Sequence, residues 1–467
     1  MDRALKGAAV LALALSVLIS PARGALPPRH GGVLTLPAPE PLGPLDPARV
    51  ETSFEATLAD AVFDNLYEVR PDGTVEAVLA AGPPTVEGTT ARVTLRPGAR
   101  LHGGGRDLQA RHVVRSLLRT TSSAQASWLL GAFASESGRP AIREVDAHTI
   151  ELELARRGVR VDLILAATPL AIVGGGDLRR RPLGTGPFSA RLDGHGGAEL
   201  SIFRHAPEGA PWIDRVVFTA ARPRDDEIRA YELGRLDGSW QGRSLYGREP
   251  SRPARTTEAT VGTPWILVPN RARVLHDDET WGGVVASIDR NRLARVGLVP
   301  RRTLNAGLPA PRLPTAAPRA GTRLTMPVRE DRPRELRAAE AIAGMLDERG
   351  IVLTVERLSA ERYERAIARS QWDLRIARVR PPLPGRGPMA GAALAAAGQT
   401  DQARALVPTL GEPEVANQTA EALDAMVLGH EHIVLHHRAD LRRLSIDVLG
   451  RLSLAELAFA RTEEPFR

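Results

Sequence analysis

The chain has 467 residues, 43% of them hydrophobic and 25% charged, the composition of a soluble globular protein with room for two or three domains. The formal net charge is +7, but Lys6 is the only Lys, and the Arg residues are scattered among acids with no basic stripe interleaved with aromatics, which argues against a nucleic-acid partner. The chain contains no Cys, which excludes disulfides, thiolate metal sites, a Cys nucleophile and a lipid-modified Cys anchor.

Arg3 and Lys6 precede the apolar run GAAVLALALSVLIS, too short to span a bilayer and suited to the core of a signal peptide. Ala22 and Gly24 put small residues where cleavage before Ala25 needs them. Residues 1–24 are therefore expected to be removed near Gly24, leaving an untethered protein in the periplasm. A short strand over 33–36 follows, then a Pro-rich loop. Phe54, Leu58, Ala61, Val62, Leu66 and Tyr67 recur at helical spacing, predicting a helix over 51–69 that Thr52 or Ser53 caps. TARVTLRPG alternates as a strand, HGGGRDLQARHVVRSLLRT passes from a Gly loop into a helix, and DAHTIELEL is a further strand.

AELSIFRH and IDRVVFTAA read as strands, 225–234 as a helix ending at Gly234, and 241–255 as polar and irregular. PWILVPN predicts a strand, VVASIDRNRLARVG a helix, and 308–321 a Pro-rich linker. TRLTMPV, RELRAAEAIAGMLDERG, IVLTVERL, SAERYERAIARS and WDLRIARV then alternate β-α-β-α-β, as a three-layer α/β lobe requires. After a loop and helix, IVLHHRADLRRLSIDV returns to strand character.

Two motifs suggest chemistry. Gly184-Thr-Gly186 could cradle phosphate, but Pro187 follows at once and the next element is a strand, so the stretch RPLGTGPFSA reads as a structural turn. His430, His432, His436 and His437 form the one metal-like cluster. If 433–435 is a strand, His432 and His436 share a face and His437 lies on the other, short of the three or four converging ligands that zinc or nickel needs. No nucleophile elbow appears, and nothing points to catalysis.

Taken in order, these segments resemble the bacterial extracellular solute-binding proteins of the peptide/nickel class. GGVLTL…PLDP, VFDNLYEVRPDGTVEAVLA, VTLRPGARLHGGGRDLQARHVVRSLLR, RPLGTGPFSA, PWIDRVVF, the helix ending ELGRLDG, IVLTVERLSAERYERAIARSQWDL and IVLHHR each match a block of that family. The resemblance implies a two-lobed α/β periplasmic binding protein fold (type II, cluster C-like) with an extra subdomain and hinge strands. Its expected divisions are a first lobe over 25–265 with a subdomain inserted over roughly 46–180, a second α/β lobe over 266–435, and a return to the first lobe over 436–467. It implies a monomeric, cofactor-free, non-enzymatic receptor that closes on a small molecule or short peptide and delivers it to an ABC permease in the inner membrane.

The departures bear on the ligand. Peptide-binding members follow the Y-D-L strand with a carboxylate that holds the peptide amine, whereas here RIARVRPPLPGRGPMAGAALAAAG has none after Asp373. A buried ammonium without a counter-charge costs several kcal/mol. Arg375, Arg378 and Arg380 in that stretch instead suit a carboxylate or phosphate, which guanidinium grips bidentately. With Trp265 for ring stacking and Thr52, Ser53 and Asn270 for hydrogen bonding, they form the expected ligand set for a peptide-like, opine-like or other acidic solute. Two alternatives stay open: a nickel, zinc or metal-chelate receptor using the His cluster, and an envelope interaction protein that kept the fold, lost transport and has an occluded cleft.

Overall fold

A computed structural model describes residues 28–123, 125–245, 253–300, 313–410 and 422–460. The expected signal segment 1–24 and residues 308–312 of the linker lie outside the described residues. Strand β1 (Val33–Pro37) buries Leu34 and Leu36 and leads through the Pro-rich loop to helix α1 (Ser53–Val62). The helix is shorter than its apolar spacing predicts. Phe63 is extended, and Tyr67 belongs to β2 (Tyr67–Val69), which pairs with β3 (Val75–Ala77) across the Arg70-Pro-Asp-Gly turn. Leu66 and Tyr67 are buried as expected, but in a neighbouring core.

Strand β4 (Thr90–Thr94), α2 (Ala110–Arg119) and β5 (Thr149–Glu153) build the inserted subdomain, with β4 and β5 antiparallel. The chain then re-enters the first lobe as β6 (Phe188–Leu192), β7 (Ala198–Ile202) and β8 (Arg215–Thr219). These strands form a sheet in the order β6-β7-β8-β1, the last pair parallel. Gly184 and Gly186 make the turn into β6 by lying against the end of α1. A Cβ on Gly184 would sit 1.9 Å from the Val62 carbonyl oxygen, and the Gly186 amide donates to that same oxygen at 3.0 Å.

Helix α3 (Arg224–Glu232) follows β8, and strand β9 (Ala254–Pro269) extends well before PWILVPN, its first two residues falling in the stretch that reads as irregular. Helix α4 (Asp278–Ser287) starts earlier than expected because Asp277 caps it, and the helical pattern beyond it becomes a separate 3-10 turn, Arg290–Val296. Strand β10 (Arg323–Arg329), α5 (Pro333–Asp347), β11 (Val352–Leu358), α6 (Ala360–Ala368) and β12 (Leu374–Arg378) follow the predicted alternation, with β10 and β11 parallel. Helices α7 (Arg386–Ala396) and α8 (Thr400–Leu406) pack on the subdomain's core. Gly391 permits this packing: a Cβ there would lie 2.6 Å from the Trp128 ring.

Strand β13 (Met426–Arg438) pairs with β9 from Ala254↔Arg438 to Leu267↔Met426. The ribbon joins the lobes: Leu435 sits in the first-lobe core, whereas Trp265, Leu267, Met426 and Leu428 sit in the second. The architecture is thus two α/β lobes, an inserted subdomain and long connecting strands.

Candidate functional site

The lobes meet along a seam of buried charge. From the first lobe come Glu40, in the loop after β1, and the start of α1, where Thr52 and Glu55 form a capping box. The Thr52 hydroxyl accepts from the Glu55 amide at 3.0 Å, and Glu55 Oε2 accepts from the Glu51 and Thr52 amides at 2.8 and 3.0 Å. This fixes the Glu55 side chain with Oε1 still free to face the other lobe.

From the second lobe come the end of β10, the start of α5 and the end of β12. Strand alternation puts Arg378 on the buried face with Leu374 and Ile376, directly opposite Trp265 of β9. The Arg378 guanidinium lies 4.4 Å from the Trp265 ring centroid. It donates to both Glu40 oxygens at 2.9 and 2.8 Å, and its Nε donates to Glu335 at 2.8 Å. Glu40 is 3% exposed, so burial alone would raise its pKa. The charge and hydrogen bonds of Arg378, with Arg334 and Arg332 behind it, reverse this and hold the carboxyl at about 2.

Four further arginines close the seam. Arg332 Nη2 donates to Glu51 and Glu55 at 3.0 and 2.9 Å, and Arg329 reaches Glu51 at 3.3 Å. Arg334 pairs with Glu431 of β13. Arg380 donates to the Glu51 carbonyl at 2.9 Å, the Leu449 carbonyl at 3.1 Å and the Ser53 hydroxyl at 3.0 Å, and burial lowers its pKa to about 10. Burial also raises Glu51 and Glu335 above the ordinary carboxylate range. Arg332 is 3% exposed, yet its Nε and Nη1 meet no hydrogen-bond acceptor among the described residues.

The space left is small. A cavity of ≈ 30 Å³ lies between Glu40, Arg334 and Glu431 on one side and Phe54, Phe218 and Trp240 on the other. It has room for two or three waters at ~10–15 Å³ each. A second, of ≈ 40 Å³, flanks Arg380 and Leu449. A groove of ≈ 1670 Å³ opens elsewhere, past Asp64, Glu68, Glu208 and Trp212, and none of the seam residues lines it.

Of the seven residues expected to bind ligand, Ser53, Trp265, Arg378 and Arg380 converge here, with the Trp265 ring covered by Arg378 rather than open for stacking. Thr52 stands behind them as a helix cap. Asn270 is turned elsewhere: its amide donates to the Ser370 and Trp372 carbonyls at 3.2 and 2.7 Å. Arg375, three residues from Arg378, faces the opposite side of β12, where its guanidinium lies over Trp372 and donates to the Ala396 carbonyl. Asp373 is also structural, accepting from the Thr325 amide and hydroxyl at 2.9 Å each and pairing with Arg273 at 2.9 Å.

The partner acids Glu40, Glu51, Glu55, Glu335 and Glu431 do not emerge from the sequence reading. One signal for them was present. The run REDRPRELR places Arg332 and Arg334 at the start of α5, where the helix dipole disfavours cations. Arginines there imply acids supplied from outside the helix.

The histidines are spread along β13. His432, His436 and His437 meet the hydroxyls of Thr260, Thr256 and Thr257 at 3.1, 2.9 and 3.1 Å, and His430 meets the Val261 carbonyl at 3.2 Å. Among the described residues no group of three or more His, Asp or Glu side chains is placed to hold a metal ion.

Two lobes meeting at a polar seam, joined by connecting strands, define a solute-binding protein. The chain belongs to the bacterial extracellular solute-binding proteins, family 5, whose middle-region model matches residues 74–322. That family is one of solute-binding proteins. Solved structures that share the fold include three with different ligands. AgaA from A. tumefaciens R10, in complex with agropinic acid, is 14% identical over 92% of this chain and 99% of its own, with a TM-score of 0.72. DppA from Helicobacter pylori, an ABC transporter-associated periplasmic binding protein in complex with the peptide STSA, is 14% identical over 93% and 99%, TM-score 0.70. NikA from Staphylococcus aureus, in complex with Ni(L-His)2, is 14% identical over 92% and 100%, TM-score 0.68. No curated protein matches the sequence. Among the described residues no helix is long and apolar enough to cross a membrane.

Proposed function

We propose that this chain is a periplasmic receptor, released from its N-terminal segment near Gly24, that binds a small acidic solute at the interlobe seam as a monomer and presents it to an inner-membrane permease. The observation that carries the reading is the pair of unmatched donors on Arg332: the buried polar atoms left over at the seam ask for an acceptor, not for a cation. Five arginines border the seam, and the loop after Asp373 offers no carboxylate for a peptide amine, while Asp373 itself is engaged by Thr325 and Arg273. The agropinic acid bound by AgaA is a solute of the proposed class, on the same fold.

The test is thermal unfolding of the purified protein with a panel of mono- and dicarboxylic metabolites, each beside its neutral amide. An acid that binds should stabilise the protein by about 2.7 kcal/mol at a hundredfold excess over its Kd. Arg332→Gln should lose the response. Stabilisation by neutral or cationic solutes alone, or an unchanged response in Arg332→Gln, would overturn the proposal. A second reading, an envelope protein that keeps the closed shape without transport, is favoured by the seam being filled with the protein's own ion pairs. It predicts no response to any solute.

A further inference from the structure

We infer that Glu40 is a resident stand-in for the ligand's carboxylate: Arg378 is the anion seat of the cleft, and the chain occupies that seat with its own side chain. This rests on the acidic-solute reading and names the group that competes with the solute.

The geometry is that of a bound ligand. Glu40 and Arg378 come from different lobes and lie 338 positions apart, yet they meet in a two-pronged pair with both N···O distances under 3 Å. That is how guanidinium takes a free carboxylate. The seat is built independently of Glu40. Trp265 supports the guanidinium face and Glu335, in the same lobe, holds Nε, so Nη1 and Nη2 are presented together toward the first lobe. Glu40 reaches them from a loop between Pro39 and Pro41, outside any helix or strand, so it can withdraw without breaking a ladder of backbone hydrogen bonds.

The surroundings extend the argument. Glu40 lines the cavity that Phe54, Phe218 and Trp240 close on the far side. A solute whose carboxylate replaced that of Glu40 would have this cavity, enlarged by the departed side chain, for its body. Arg332 adds a second point of attachment: its Nη1 lies 3.8 Å from Glu40 Oε2, too long for a hydrogen bond, so a second acceptor beside the first would meet an unmatched donor.

The test is chemical rescue in the full mature chain. Glu40→Ala leaves Arg378 facing an empty, carboxylate-sized space. Its midpoint of thermal unfolding should fall by roughly 3–5 °C, from the loss of one partner of a buried pair in a chain of this length. Acetate should restore at least half of that fall, while chloride at equal ionic strength and acetamide restore none. Glu40→Gln, which removes the charge but still fills the space, should lose stability and gain nothing from acetate. If Glu40→Ala is recovered only unfolded, its refolding yield in acetate against chloride reads the same question. An acid identified on the wild-type protein should bind Glu40→Ala about tenfold more tightly, as expected if Glu40 fills the seat nine-tenths of the time.

Equal effects of acetate and chloride on Glu40→Ala, or equal acetate effects on Glu40→Ala and Glu40→Gln, would overturn the inference. Rescue without any acid binding to the wild type would leave the seat standing and sink the transport reading. Acid binding to the wild type without rescue would do the reverse.

Discussion

Acid isolates the seam's central pair. Glu40 is held at about 2 against an ordinary 4.5, and at ~1.36 kcal/mol for each factor of ten in proton affinity this pair contributes about 3 kcal/mol to stability near neutral pH. Because the folded value lies below the unfolded one, that contribution is complete above about pH 5 and drains away as pH falls from 4.5 toward 2. Glu51 and Glu335 run the other way: burial raises them, so acid relieves a cost they impose. Wild-type stability alone therefore mixes opposing slopes. The difference between wild type and Glu40→Gln removes the shared terms. Urea unfolding should show the variant weaker by about 3 kcal/mol at neutral pH, with the gap closing progressively once pH drops below the ordinary glutamate value. A gap that stays constant down to the lowest pH would refute the reasoning, since it would mean that the titrating charge of Glu40 is not what the variant loses.

Two further outcomes separate structure from binding. Asp373→Asn should cost about 2–3 kcal/mol in urea unfolding, because the amide keeps only one acceptor oxygen and turns an NH2 group toward either Arg273 or the two donors of Thr325, and it should leave any response to acids intact. Gly184→Ala should cost about 3 kcal/mol, since its methyl would fall 1.9 Å from the Val62 carbonyl oxygen; a loss under 1 kcal/mol would show that the turn can yield.

The second lobe was legible because its helices and strands alternate with clean periods, and the turn at Gly184 because Pro187 and the following strand denied a phosphate loop. The helix over 51–69 ran too long for a physical reason. Leu66 and Tyr67 continue the apolar spacing, but they are buried from a hairpin, and the spacing alone does not separate the two. The polar half of β9 was missed because Thr256, Thr257 and Thr260 have no apolar face of their own; they are held by pairing with β13 more than 170 positions away. The seam was half legible. Arg378 and Arg380 stood out where the chain departs from its family's pattern, and Ser53 by its place at the start of the first-lobe helix. Their acids did not: Glu40 sits in a Pro-rich loop and Glu431 between two histidines, and only the closed fold brings them to the arginines.

A filled seam also restricts what can displace it. Removing one partner of a buried ion pair is costly, but the whole pair adds little over a well-packed apolar replacement, so the seam is better understood through competition. A tethered carboxylate acts at an effective concentration on the order of millimolar or above. A free solute offering Arg378 the same single carboxylate therefore exchanges one two-pronged pair for another and loses at micromolar concentration. To win it must add contacts that Glu40 does not make. Two are present: the unmatched Nε and Nη1 of Arg332, and the apolar wall of Phe54, Phe218 and Trp240. A second acceptor set close to the carboxylate and a compact apolar body are thus the features that distinguish a true solute from the resident side chain. Inorganic anions and simple monocarboxylates, which have neither, should leave the wild-type seam closed on itself.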